Sequence, residues 1–127
     1  MALLGFSGAI GAIARHSISS WANPLTTAIP CGTLLVNVVG CFLLGALACA
    51  VGLDQNNISP ATKLAVGTGF LGSFTTFSTF GVETFERLQR GSVGYALANI
   101  ALNVVVGLFA VWLGYLLASW WYPTTAA

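Results

Sequence analysis

Four long apolar runs, separated by short polar or proline-bearing stretches, organise this chain. Each is long enough for a helix that crosses a bilayer, which needs about 20 mostly apolar residues. The runs predict helices over about residues 2–21, 31–53, 60–89 and 92–121. Asn23-Pro24 gives a turn after the first, and the connection runs to Pro30. Asp54-Gln55-Asn56-Asn57 is the most polar stretch and predicts a short exposed loop. Ser59-Pro60 then opens the third helix, with serine as N-cap and proline at the first helical position. Gly91 divides the third helix from the fourth, and Pro123 closes the last. The expected fold is therefore all-α: a single transmembrane domain of four helices over residues 1–127. The run Met1–Ala14 has no basic segment at its start and is interrupted by Gly5, Gly8 and Gly11, so it reads as a retained first helix rather than a signal peptide.

Composition sharpens the membrane reading. Only 6% of residues are charged and 57% are hydrophobic, whereas a soluble domain carries about 25% charged residues. A net charge of +1 gives no electrostatic case for nucleic acid. Small residues recur one turn apart, as Gly8, Gly11 and Ala12, then Cys41, Gly45 and Cys49, then Ala110, Gly114 and Ala118. Such faces let helix backbones approach closely in lipid. The three cysteines fall on one helix; Cys31 and Cys41 would stand about 15 Å apart, beyond disulfide reach. They read as packing residues, and no spacing suggests a zinc or redox site. No nucleophile stands in a recognisable pattern with a base, so nothing supports an enzyme.

The third run differs in kind. Residues 67–81 hold four glycines, four threonines, two serines and four phenylalanines without a charge. Glycine, serine and threonine are poor helix formers, and non-helical backbone at membrane depth survives only inside protein or beside water. An interruption around Ser73–Phe77 is expected, and it would free carbonyls to meet a cation. Gly67-Thr68-Gly69-Phe70-Leu71-Gly72 matches the dinucleotide fingerprint in letters alone, because no βαβ unit can surround it.

Several side chains carry candidate chemistry. Asn37 is a bare amide in the second helix, while Asn99 and Asn103 share a face of the fourth. An amide in hydrocarbon must face other helices or a pore, and both readings stand. Phe77 and Phe80 share a face with Ser78 and Thr79 between them. Paired phenylalanines usually pack a core; alternatively their electropositive ring edges can face an anion, with hydroxyls completing the shell. Arg15 is a candidate functional charge within a span, or a side chain that snorkels to the surface. Glu83 and Arg87 stand one turn apart and are expected to pair.

Three segments together resemble the Fluc/CrcB family of fluoride channels: Gly8-x-x-Gly11-x-x-x-Arg15, Gly32-Thr33-Leu34-x-Val36-Asn37-x-x-Gly40, and the run Gly69-Phe70-Leu71-Gly72-Ser73-Phe74-Thr75-Thr76-Phe77-Ser78-Thr79-Phe80. With the matching length, the resemblance covers nearly the whole chain. It implies passive fluoride export through the inner (plasma) membrane, by an antiparallel, dual-topology homodimer with two pores and a central structural sodium ion. It further implies that Asn37 lines the pore, that Phe77 and Phe80 face fluoride, and that Ser78 and Thr79 donate from their hydroxyls. The carbonyls of Gly72 and Thr75 from both subunits would hold sodium. The bias of Arg15, Arg87 and Arg90 against Lys63 is weak, in keeping with insertion in both orientations.

One departure from the family pattern stands out. Where the family's fourth helix resembles a polar track of serine or threonine, this chain has Gly107 and Val111. Neither side chain donates a hydrogen bond, so Asn103 is expected to supply a donor, with water beside the glycine as the alternative. The rival functions are a small multidrug-type exporter and a non-transporting assembly subunit. Such exporters resemble one another in carrying a carboxylate in the first helix, and Met1–Ala14 has none.

Overall fold

A computed structural model describes residues 1–25, 29–53 and 58–121. The expected loop Asp54–Asn57 and the closing Pro123 lie outside the described residues. Those residues form four helical rods, with no strand among them. Helix α1 is Ala2–Ala22 and α2 is Cys31–Leu53. The third rod has two segments, α3 over residues 60–74 and α4 at Phe77–Gln89. Helix α5 is Val93–Trp121.

The boundaries follow from local chemistry. Asn23 accepts from the Gly32 N–H at 3.0 Å through its side chain, fastening the end of α1 to the start of α2. Ser59 accepts from the Thr62 N–H, and Pro60 occupies the first turn of α3, where its missing N–H costs nothing. Gly91 takes φ +73, and the Ser92 N–H reaches back to the Arg87 carbonyl at 2.9 Å. This left-handed stop lets the chain reverse into α5. Two wide-turn π segments, Leu64–Leu71 and Leu102–Val106, lie inside α3 and α5.

Packing is built on glycine. A Cβ at Gly11 would strike the Phe70 carbonyl, and one at Gly69 would strike the Ser7 hydroxyl, so α1 and α3 touch backbone to backbone. Gly45 meets the Val111 carbonyl and Gly114 the Phe42 carbonyl, which joins α2 to α5 in the same way. Helices α2 and α5 run parallel and in step. Asn37 lies at Asn103, Cys41 beside Gly107, and Gly45 against Val111, all at the same offset of 66 residues. Without a hydrophobic force between helices in lipid, such close approach supplies the dispersion contact that holds them. The outward faces remain apolar: Phe6, Ile13 and Leu108 are each about two-thirds exposed. Helices Cys31–Gly52 and Val93–Trp121 are each long and apolar enough to cross a membrane.

Candidate functional site

The third rod is interrupted at Thr75 and Thr76. Their backbones are extended (φ −83, ψ 158 and φ −149, ψ 109) between Gly72–Phe74 and Phe77–Gln89. The Thr75 methyl rests where a Cβ would stand at Gly40, so α2 accommodates this turn only through that glycine. An extended pair inside a helix frees backbone groups, and each must find another partner. Asn37 meets two of them. Its Oδ1 accepts from the Thr76 N–H at 2.8 Å, and its Nδ2 donates to the Thr76 carbonyl at 3.1 Å. The Thr76 hydroxyl accepts from the Thr79 N–H at 3.2 Å and so caps α4.

These substitutions leave two carbonyls without their helical donors. In an unbroken helix the Gly72 carbonyl would receive the Thr76 N–H, and the Thr75 carbonyl the Thr79 N–H. Here those donors go to Asn37 Oδ1 and Thr76 Oγ1. Gly72 is exposed on the surface of the chain and Thr75 half-buried.

The second Nδ2 hydrogen of Asn37 reaches Asn103 Oδ1 at 2.9 Å. Asn103 Nδ2 in turn donates to the carbonyl and to Oδ1 of Asn99, at 3.0 and 3.1 Å. Asn103 therefore sits beside Asn37, and both are half-buried. They line a cavity of about 230 Å³ with Cys41, Thr75, Thr76, Phe77, Phe80 and Val104 among its walls. Gly107 and Val111 do not line it; they pack on α2.

Phe77 and Phe80 stand with ring centroids 5.4 Å apart and planes tilted by 58°. Phe80 is 8% exposed, but Phe77 is 82% exposed and turns away from its own chain. Core packing within the chain therefore does not account for Phe77. Ser78 and Thr79 are exposed beside them. Thr79 Oγ1 accepts from Thr76 Oγ1 at 2.9 Å, which leaves its own hydrogen to donate elsewhere.

Thr79 lines a second cavity of about 260 Å³, shared with Arg15, His16, Thr33, Thr76 and Glu83. Arg15 is half-buried there rather than at the outer surface. Thr33, 1% exposed, donates to Glu83 Oε1 at 2.8 Å. Glu83 thus turns inward with the Arg87 charge nearby, and Arg90 and Glu86 form an exposed ion pair at 3.6 Å. Thr76 borders both cavities. Thr33 and Thr76 were missed as site residues. Thr33 stands one turn before Asn37, a spacing that places both on one face and could have revealed it.

A family model described as CrcB-like protein, Camphor Resistance (CrcB), matches residues 2–115. The chain is 44% identical over 122 residues to the Fluoride-specific ion channel FluC 2 of Symbiobacterium thermophilum, covering 95% of this chain and 98% of that protein. It is 44% identical over 112 residues to the Fluoride-specific ion channel FluC of Acidobacterium capsulatum, covering 87% and 89%. The same-named channel of Pyrococcus horikoshii matches at 43% over 118 residues, covering 93% and 94%. Matches that run through all four rods and both cavities identify this apolar helical chain as a membrane protein belonging to the CrcB family.

Proposed function

We propose that this chain is the subunit of a fluoride channel that lets fluoride leave the cell passively, and that it is not an enzyme. The observation that carries the reading is the 44% identity, over 95% of this chain and 98% of the other, to a relative named a fluoride-specific ion channel. The site supports it in chemical terms. The cavity between α2, the third rod and α5 joins aromatic rings to amides and hydroxyls without a full positive charge. An anion there meets ring edges, and the Ser78 and Thr79 hydroxyls beside Phe77 and Phe80 supply donors, which favour it without trapping it. Phe77, Phe80, Ser78, Thr79, Asn37 and Asn103 form the pore in this reading. Arg15, in the adjoining polar cavity, attracts the anion toward it. No nucleic acid takes part. The chain resides in the inner (plasma) membrane as a multi-pass protein.

Phe77→Ile and Phe80→Ile test the ring-edge role, since isoleucine keeps apolar bulk and removes the electropositive edge. Each variant should lower fluoride efflux from liposomes by roughly tenfold or more, the rate equivalent of an aromatic contact of about 1.5 kcal/mol. Unchanged efflux in both would make these residues packing elements.

The channel is an antiparallel homodimer of dual topology in this proposal. The exposure of Phe77 supports it, because a pore ring turned out of its own chain needs a second copy to enclose it. Reporter fusions at the C-terminus should give signal on both sides of the membrane; signal on one side alone would contradict dual topology. A structural sodium ion fits the same assembly. The carbonyls of Gly72 and Thr75 are deprived of helical donors and are free to act as oxygen ligands. One chain offers two such oxygens, and two copies about a shared axis offer four. Exchange of sodium for a bulky organic cation should reduce the thermal stability of the purified protein and its fluoride flux. Equal stability and flux in both salts would rule out a sodium requirement.

A further inference from the structure

We propose that Asn99 is a positioning residue of the pore, holding Asn103 and, through Thr84, the Phe80 segment in fixed orientation. The proposal rests on the fluoride-channel reading above. Asn99 touches neither the cavity around Phe77 and Phe80 nor the polar one around Arg15. It is 0% exposed, between α4 and α5. Its Nδ2 donates to Thr84 Oγ1 at 2.9 Å, and Thr84, also buried, donates to the Phe80 carbonyl at 2.7 Å.

The chain of bonds has one direction. The Thr76 N–H can only donate and the Thr76 carbonyl can only accept, so Asn37 must present Oδ1 to the first and Nδ2 to the second. Its remaining hydrogen requires Oδ1 of Asn103. Asn103 then turns Nδ2 toward Asn99, where a backbone carbonyl and Oδ1 receive it. Asn99 is left with Nδ2 toward Thr84, whose hydroxyl hydrogen ends at the Phe80 carbonyl. Backbone groups of fixed sense anchor both ends and the middle. A flip of Asn37 or Asn103 would set donor against donor at one link and acceptor against acceptor at the next. A flip of Asn99 would face its Nδ2 to that of Asn103 and draw the Thr84 hydroxyl off the Phe80 carbonyl. Asn99 is the link that joins the amides of α2 and α5 to α4, and it keeps the Asn103 hydrogens directed away from Asn37. Fluoride therefore meets a cavity wall whose amide dipoles do not rotate.

The test compares fluoride efflux from liposomes for wild type, Asn99→Leu, Asn103→Leu and the double variant, with helix content and assembly state measured for each. Asn99→Leu should fold and assemble yet conduct roughly tenfold less, the rate equivalent of one orphaned buried polar group. The double variant should lose no more than the larger single loss, because both act through one chain, whereas independent packing effects would multiply. Thr84→Val should also lower efflux and Thr84→Ser should restore it, since serine keeps the hydroxyl. Wild-type efflux in a folded Asn99→Leu, or multiplied losses in the double variant, would overturn the proposal. If Asn99→Leu does not fold, the Thr84 pair decides: wild-type efflux in Thr84→Val overturns it. Failure of the wild-type protein to conduct would instead overturn the channel reading.

Discussion

Asn37→Leu should abolish measurable fluoride flux. One amide makes three hydrogen bonds: two to the backbone of Thr76 and one to Asn103. Leucine keeps much of the volume and deletes them all. The Thr76 N–H and carbonyl are then orphaned, each at about 1–3 kcal/mol in a buried setting. Flux should fall on the order of a hundredfold or more, since the two orphans alone reach that figure. The extended pair Thr75 and Thr76 also loses the group that makes it affordable, so the third rod should relax toward a continuous helix. Its Gly72 and Thr75 carbonyls would then recover their ordinary donors. Asn37→Asp separates the two contributions, because a carboxylate still accepts from the Thr76 N–H but cannot donate to the Thr76 carbonyl. It should conduct poorly as well. Fluoride flux at the wild-type rate in Asn37→Leu would show that neither the clamp nor the amide is needed.

Asn103→Leu should lower fluoride flux by roughly tenfold or more while the protein still assembles, as expected for loss of one middle link. The residue sits between two others. Its loss leaves the second hydrogen of Asn37 without an acceptor and Asn99 Oδ1 without a donor. It also removes a polar wall from the cavity shared with Phe77 and Phe80. Asn103 holds the polar position that Gly107 and Val111 do not, because those two lie where α5 presses on Cys41 and Gly45 of α2. Normal conduction by this variant would show that the polar wall formed by Asn103 is not needed.

Much of the layout is legible in the residue pattern, for stated reasons. A chain this apolar has few places to turn, and each carries proline, glycine or a polar run. Ser59 and Pro60 mark a helix start by the same chemistry that caps it in the structure. The density of glycine and hydroxyl residues from Gly67 to Gly81 singles out the third run, and the extended residues lie inside it at Thr75 and Thr76. Asn99 and Asn103 sit one turn apart in sequence and bond to one another in space. Other features leave no mark in one dimension. The π segments Leu64–Leu71 and Leu102–Val106 lie in runs that are apolar all round, where hydrophobic periodicity does not report the turn width. The Thr33–Glu83 bond joins residues 50 apart, where a helix-local rule that sees only near neighbours cannot find it. The direction of the amide chain depends on Thr76, whose role as partner to Asn37 comes from packing across 39 residues.

Ion efflux from liposomes that contain this chain and no other protein is the most direct test of the central claim. Vesicles loaded with fluoride should release it when a potential or a gradient drives it outward, with no added energy source and no second chain. Matched vesicles loaded with chloride should retain their load. Fluoride retained as in protein-free vesicles, or chloride released as fast as fluoride, would contradict a fluoride channel.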